Sequence, residues 1–207
     1  IYYTNDWDDA PLWDLNDEMR SLPRMLVSTK DMALMSALKT PPGLLAIASW
    51  PLEFGRLPSD DGMSLFLDDV TDPGNVGTLI RVADWFGLSG VIMSPRCADA
   101  LGPKAIQSAM GSTFHVSLAM ESFSKIPDSH KGNVVGLDMG GQNLFGPGLP
   151  NAPSLLVIGS ESHGLSPDIK EACHSIASIP GAGRAESLNA SVAGAIATSV
   201  FLQQRLS

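Results

Sequence analysis

From Ser64 onward the apolar residues fall into short runs separated by stretches of helical character. Leu65-Phe-Leu, Gly90-Val-Ile-Met, Phe114-His-Val-Ser, Asn133-Val-Val-Gly-Leu-Asp, Leu155-Leu-Val-Ile and Ser175-Ile-Ala-Ser-Ile read as strands. Runs this short, continuously apolar and bounded by turn residues, are those of strands covered on both faces. Between them the spacing predicts helices over 75–86, 103–110, 167–172 and 188–204. In the first, Val76, Leu79, Ile80, Ala83 and Phe86 recur at the helical period. In the last, Leu188, Val192, Ile196 and Val200 repeat every four residues and predict a buried stripe, while Ala190, Ala193, Gly194 and Ala197 keep the helix thin. Strands alternating with helices predict an α/β fold, a mostly parallel sheet with helices on both faces. Ligands of such folds bind in the loops beyond the carboxyl ends of the strands.

The chain before Ser64 has a different texture. Asp6, Asp8, Asp9, Asp14, Asp17 and Glu18 form an acidic stretch. Leu26-Val-Ser predicts a short strand, 31–38 a capped helix, and Leu44-Leu-Ala-Ile-Ala-Ser another strand. Trp50 to Met63, with Pro51, Pro58, Asp60, Asp61 and Gly62, reads as a linker. The expected organisation is a partial N-terminal unit plus linker over 1–57 and one larger domain over 58–207.

With 44% hydrophobic and 17% charged residues, the 207-residue chain has the composition of a globular protein. No window approaches the run of about 18 apolar residues that spans a bilayer, so no membrane partner is expected. The sequence starts at Ile1 with no visible signal peptide, and its true N-terminus is expected to lie further upstream. The two cysteines, Cys97 and Cys173, lack the spacing of a zinc site; they read as free thiols in a reducing, cytoplasmic setting, with an organellar one left open, and no metal is expected.

The net charge of −9 argues against a nucleic-acid partner until its distribution is considered. Residues 1–72 carry 13 acidic and 5 basic side chains, whereas residues 73–207 carry 9 and 8. The larger domain is therefore nearly neutral. It has no basic stripe, and phosphate contacts would fall to a few residues such as Arg81, Arg96, Lys104 and Arg184.

Three loops in this domain carry the candidate chemistry. Leu67-Asp-Asp-Val-Thr-Asp-Pro-Gly-Asn-Val-Gly-Thr-Leu-Ile-Arg81 contains a turn that ends in a candidate N-cap, Asn75. Arg81 leans back over Gly77, which predicts open space there for a substrate. Leu155-Leu-Val-Ile-Gly-Ser-Glu-Ser-His-Gly-Leu-Ser166 places Glu161 among small residues whose backbone amides a ligand can approach. Ser178-Ile-Pro-Gly-Ala-Gly-Arg-Ala-Glu-Ser-Leu-Asn189 opens the last helix with either Ser187 or Asn189 as N-cap. Neither GxGxxG nor GxxxxGK[ST] is present, which removes support for dinucleotide-binding and triphosphatase readings.

Together these segments resemble the SpoU/TrmH family of RNA ribose methyltransferases, of the SPOUT superfamily. Asp72-Pro-Gly-Asn-Val-Gly with Arg81 is similar to the family's first motif, Ile158-Gly-Ser-Glu-Ser-His-Gly-Leu-Ser166 to its second, and Ile179-Pro with Ser187-Leu-Asn-Ala-Ser-Val192 to its third. Gly181 departs from the Met often found after Ile-Pro, and the segment 104–111 lacks an Arg that relatives often carry near Gln107. Residues 26–50 also resemble the end of the small ribosomal-protein-like RNA-binding domain found ahead of the catalytic domain in many members.

The resemblance implies a deep C-terminal trefoil knot and a homodimer. It implies methyl transfer from S-adenosylmethionine, without metal, to a ribose 2′-hydroxyl, of ribosomal RNA before transfer RNA. It implies Arg81 as catalytic, with Asn75, Glu161, Ser187 and Asn189 supporting it and holding RNA. The cofactor is expected at Gly136, Ile158, Gly159, Ile179, Pro180 and Leu188. An arginine keeps its proton near neutral pH, which favours positioning and charge stabilisation over general-base action. Two alternatives are a non-catalytic RNA-binding paralogue and a methyltransferase acting on protein or a small molecule.

Overall fold

A computed structural model describes residues 1–8, 13, 16–49, 55–151 and 153–206. The chain divides into two compact units, Ile1–Pro51 and Leu52–Ser207.

The first unit is a small three-stranded sheet. β1 (Tyr2–Tyr3) pairs in parallel with β2 (Met25–Leu26) and antiparallel with β3 (Leu44–Leu45). Helix α1 (Asp17–Ser21) is capped by the Asn16 side chain and α2 (Thr29–Met35) by that of Ser28, so the helix expected over 31–38 begins and ends earlier. The strand expected over 44–49 is only two residues long, and β1 carried no alternating pattern that would have revealed it. The expected linker begins at Trp50, outside the described residues.

The second unit holds a six-stranded, wholly parallel sheet in the order β6-β5-β4-β8-β7-β9. Its strands are β4 (Ser64–Asp68), β5 (Gly90–Met93), β6 (Leu118–Met120), β7 (Val134–Asn143), β8 (Leu155–Gly159) and β9 (Ser175–Ser178). The helices are α3 (Pro73–Trp85), α4 (Pro103–Ala109), α5 (Pro167–Ala172) and α6 (Ala190–Leu206). Every residue of β4, β5 and β8 is buried, as expected for strands covered on both faces. On one face Phe66, Ile92, Val157 and Leu155 pack with Leu165 and with Ile169 of α5. On the other, α6 rests on Leu79 of α3 and Ile158 of β8. None of the described helices is long and apolar enough to cross a membrane.

The strand expected at 114–117 is displaced. Met110 (φ 52°) and Gly111 (φ 95°) stop α4 in the left-handed region, residues 112–114 then form a tight turn, and the strand begins only at Leu118.

Two glycines bring helices close together. A Cβ on Gly194 would lie 2.5 Å from Leu79 Cδ2 and 2.6 Å from Ile158 Cδ1. The buried face of α6 is consequently built on Ala190, Ser191, Gly194, Ala197, Thr198, Phe201 and Leu202. The four-residue stripe expected to be buried is not: Leu188 and Val192 are 45% and 47% exposed, and Ile196 and Val200 are half-buried. A Cβ on Gly77 would lie 2.2 Å from the Ala105 carbonyl oxygen, so the space expected there for a substrate is filled by α4. Alanine favours a helix over glycine by about 1 kcal/mol. Gly77→Ala is nevertheless expected to lower Tm by several degrees, because α3 and α4 must part. An unchanged or higher Tm in calorimetry would contradict this packing.

Candidate active site

The strand order places a crevice between β4 and β8. From β4 the chain runs outward through β5 to β6; the strands that follow occupy the other side. Such a reversal opens a cleft at the carboxyl ends of the two central strands. The first candidate loop leaves β4 there and the second leaves β8. The third leaves β9 and returns to α6, which packs on α3 and β8.

The first loop starts α3 two residues earlier than expected. Asp72, not Asn75, is the N-cap: its Oδ1 accepts the Asn75 N–H at 3.1 Å, and Pro73 occupies the first helical position. Lys104 Nζ lies 2.7 Å from Asp72 Oδ2, and this hydrogen bond holds the carboxyl below its usual range against a smaller effect of burial. Asn75 is thereby left in the first helical turn, 8% exposed, with its amide free to reach sideways.

The second loop folds back on itself. Ser160 and Gly164 exchange two backbone hydrogen bonds of 3.1 and 2.8 Å, and Gly164 takes φ 67°. The turn closes so tightly over Gly159 that a Cβ there would meet Gly164 backbone atoms at 2.3 Å. Glu161 projects from this turn.

The third loop resolves the choice of N-cap. Asn189 Oδ1 accepts from Ser191 N (2.9 Å), Ser191 Oγ (2.6 Å) and Val192 N (3.2 Å), so Asn189 caps α6.

The loops meet at one carboxylate. Asn75 Nδ2 donates to Glu161 Oε1 at 2.6 Å, and Asn189 Nδ2 donates to the same oxygen at 2.7 Å and to Asn75 Oδ1 at 2.9 Å. The Ala190 N–H points at Glu161 Oε1 from 3.4 Å. A carboxylate is favoured at the amino end of a helix, where backbone N–H groups lack partners. Residues 75, 161 and 189, far apart in the chain, thus form one junction.

Among the described residues, the other expected site residues make no hydrogen bond to this junction. Arg81 is exposed on α3, and among the described residues its guanidinium has no hydrogen bond or ion pair. It is therefore not held by Asn75, Ser187 or Asn189. Ser187 is exposed in the third loop and makes no hydrogen bond among the described residues. Two of the four basic candidates are committed elsewhere, Arg96 to Asp69 and Lys104 to Asp72.

Of the expected cofactor residues, Ile179, Pro180 and Leu188 lie in or beside the third loop, with Pro180 and Leu188 exposed. Gly159 ends β8. Ile158 is 2% exposed and faces α6. Gly136 lies inside β7, where a Cβ would meet Leu165 Cδ1 at 2.5 Å and Cys173 Sγ at 2.9 Å, so its small size is explained by packing. Burial pushes that Cys173 thiol up to about 11. No group of His, Cys, Asp and Glu suited to a metal occurs among the described residues.

One positioning residue was missed by sequence reasoning. Asp68, 3% exposed, ends β4 directly opposite Gly159, and its Oδ2 accepts the Ser166 N–H at 2.6 Å. A single residue of β4 thus secures both ends of the Glu161 loop. Only the repeated Asp-Asp after an apolar strand hinted at it. Asp68→Ala leaves a half-buried N–H without its partner and is expected to cost about 1–3 kcal/mol. Asp68→Asn, which keeps an acceptor oxygen, should lose less than half of that in urea unfolding. Equal losses would show that the Ser166 bond is not what Asp68 provides.

Comparison with known proteins identifies the family of this fold. Residues 62–199 match the model of the SpoU rRNA Methylase family. An uncharacterized tRNA/rRNA methyltransferase of Archaeoglobus fulgidus is 34% identical over 68% of this chain and 64% of its own length. The 23S rRNA (uridine(2479)-2′-O)-methyltransferase of Streptomyces viridochromogenes is 32% identical over 85% of this chain and 65% of its own. The chain therefore spans a little under two thirds of these relatives. The crystal structure of the SpoU methyltransferase AviRb from Streptomyces viridochromogenes superposes with a TM-score of 0.79, at 27% identity, over 99% of this chain and 81% of that one. The same enzyme has been solved in complex with the cofactor AdoMet, and that structure superposes with a TM-score of 0.75, at 26% identity, over 100% of this chain and 82% of that one. From its motifs, its parallel sheet and these matches, the chain belongs to the SpoU rRNA methylase family.

Proposed function

We propose that this chain transfers a methyl group from S-adenosylmethionine to a ribose 2′-hydroxyl of RNA, with ribosomal RNA as the first candidate. The observation that carries the reading is the Asn75–Glu161–Asn189 junction, which binds three separate loops together at the start of the helix that carries Arg81. The 23S rRNA methyltransferase of Streptomyces viridochromogenes supports the choice of ribosomal RNA over transfer RNA.

The third loop suits the cofactor. Residues 181–189 are exposed, and a Cβ on Gly181 or Gly183 would meet nothing within 4 Å. Among the described residues the backbone from Pro180 to Leu188 makes no hydrogen bond, which leaves its amides and carbonyls for an adenosine. Leu188 and Ile179 offer apolar contact. The cofactor supplies an electrophilic sulfonium methyl. The chain contributes alignment, which in favourable cases is worth about 7–11 kcal/mol of the barrier. Glu161 holds the starts of α3 and α6 in register, so that Arg81 and the third loop keep a constant separation. The 2′-hydroxyl gives up its proton to solvent water as it attacks and S-adenosylhomocysteine leaves; the Arg81 guanidinium donates hydrogen bonds to the ribose–phosphate and to the 2′-oxygen, and so stabilises the negative charge that the departing proton leaves there.

Exposed Leu188 and Val192 at the start of α6, continued by half-buried Ile196 and Val200, support a homodimer; sedimentation of wild type and Val192→Glu tests this. We place the protein in the cytoplasm and the knot of its family in the C-terminal return from β9 to α6.

Incubation with methyl-tritiated cofactor and total RNA tests the activity. Ribonuclease-sensitive label is expected. Label that survives ribonuclease would point to protein or a small molecule, and cofactor binding in calorimetry without transfer to any RNA would favour a binding paralogue.

A further inference from the structure

The exposed strip of α3 that carries Arg81 also carries an aromatic side chain with no task in the fold. Trp85 lies one helical turn beyond Arg81, so the two side chains are neighbours on one face. Trp85 is 83% exposed, the highest value among the exposed large hydrophobic residues described. Its indole N–H makes no hydrogen bond among the described residues. The acidic neighbour Asp84 is turned elsewhere, its Oδ2 3.3 Å from His115 Nδ1. A tryptophan left in water one turn from a guanidinium that has no partner among the described residues is complementary to a ligand that is anionic and flat in alternation.

We infer that Trp85 stacks on the base next to the modified nucleotide, and that the substrate is an unpaired RNA segment. The inference rests on the RNA reading above. Charge favours it further. With 8 basic against 9 acidic side chains over residues 73–207, and with Arg96 and Lys104 already paired to aspartates, the domain cannot rely mainly on phosphate neutralisation. Stacking supplies affinity without cations and accepts any base, but it needs a base already free of its neighbours. A duplex does not offer one.

The test uses a fluorescein-labelled oligouridylate of about twelve nucleotides, long enough to cover one single-strand site. Its binding is followed by anisotropy at several salt concentrations, with the same strand annealed to oligoadenylate as the duplex probe. Trp85→Ala should weaken single-strand binding at least about fivefold, and Trp85→Phe should restore most of it. The slope of log affinity against log salt should stay the same in Trp85→Ala and become shallower by about one in Arg81→Ala, because only the latter loses a phosphate contact. Single-strand binding unchanged by Trp85→Ala, wild type binding the duplex more tightly, or no wild-type binding would each overturn the inference. So would a loss of binding that tracks a shift from dimer to monomer in sedimentation, since Trp85 would then belong to a contact between copies. If Trp85→Ala weakens binding while wild type transfers no methyl group, stacking stands and the catalytic reading falls. If wild type methylates RNA and Trp85→Ala binds normally, the reverse holds.

Discussion

Replacing Arg81 by alanine is expected to lower methyl transfer about 10²–10³-fold, the usual cost of removing one donor aimed at developing charge. Affinity for S-adenosylmethionine in calorimetry should hold within about threefold, since a contact made only in the transition state affects turnover rather than ground-state binding. Stability should not change, because the side chain is exposed and unpaired among the described residues. Lysine at this position keeps the charge but not the planar fork and should recover little of the rate. Full recovery by lysine would make Arg81 a simple counter-charge. Loss of cofactor binding in Arg81→Ala would move the residue from the chemistry to the cofactor pocket.

The second large effect is expected at Glu161. One of its oxygens receives Asn75, Asn189 and the start of α6, so Glu161→Ala removes the acceptor of several donors at once. Hydrogen bonds to a charged group contribute about 1.5–3 kcal/mol each. Unlike Arg81→Ala, this change should weaken cofactor binding by at least about tenfold and also lower Tm, because the third loop loses its anchor. Glu161→Gln retains an acceptor oxygen and should fall between the two. In a double-mutant cycle, Asn189→Ala should add little to Glu161→Ala, as expected for groups acting as one unit. Additive losses, or a Glu161→Ala protein that binds cofactor as wild type does, would show that the junction does not shape the site.

The acid side of the stability curve carries a related signature. The carboxyls of Asp72, Asp69 and Asp138 are held below the ordinary range. Lys104 is the leading influence on Asp72; at Asp69 and Asp138 burial acts upward and is outweighed by hydrogen bonds from Arg96 with Ser94 and from Lys170 with backbone amides. Groups whose folded-state values are depressed stabilise the protein above the unfolded values, and that contribution fades as pH falls through the folded ones.

The elements that proved easiest to read were those whose neighbours matter least. The buried runs at 90–93 and 155–158 and the helix at 167–172 stand within a residue of their expected places, because continuous apolar strands and a proline at the helix start are local signals. The convergence of the first, second and third loops was legible through their motifs. The geometry inside it was not, because it depends on long-range partners. Asp72 outcompeted Asn75 as cap, which freed Asn75 to reach Glu161 across 86 residues of sequence. Helical periodicity on α6 marked an apolar stripe but could not say which side faced the sheet. Gly194 decided that, by letting the small-residue face approach Ile158 and Leu79. Gly77 misled for the opposite reason, since an absent side chain looks the same in sequence whether a ligand or a helix fills the gap. Asp68 carried no motif of its own, and its role shows only once β4 and β8 lie side by side.

The most direct measurement of the central claim is the chemical position of the transferred methyl. RNA incubated with the protein and trideuteromethyl cofactor, digested to nucleosides and resolved by mass spectrometry, should carry the heavy methyl on ribose as a 2′-O-methylnucleoside, and Arg81→Ala should remove it. Heavy methyl found on a base, or ribose label that persists undiminished in Arg81→Ala, would contradict the account.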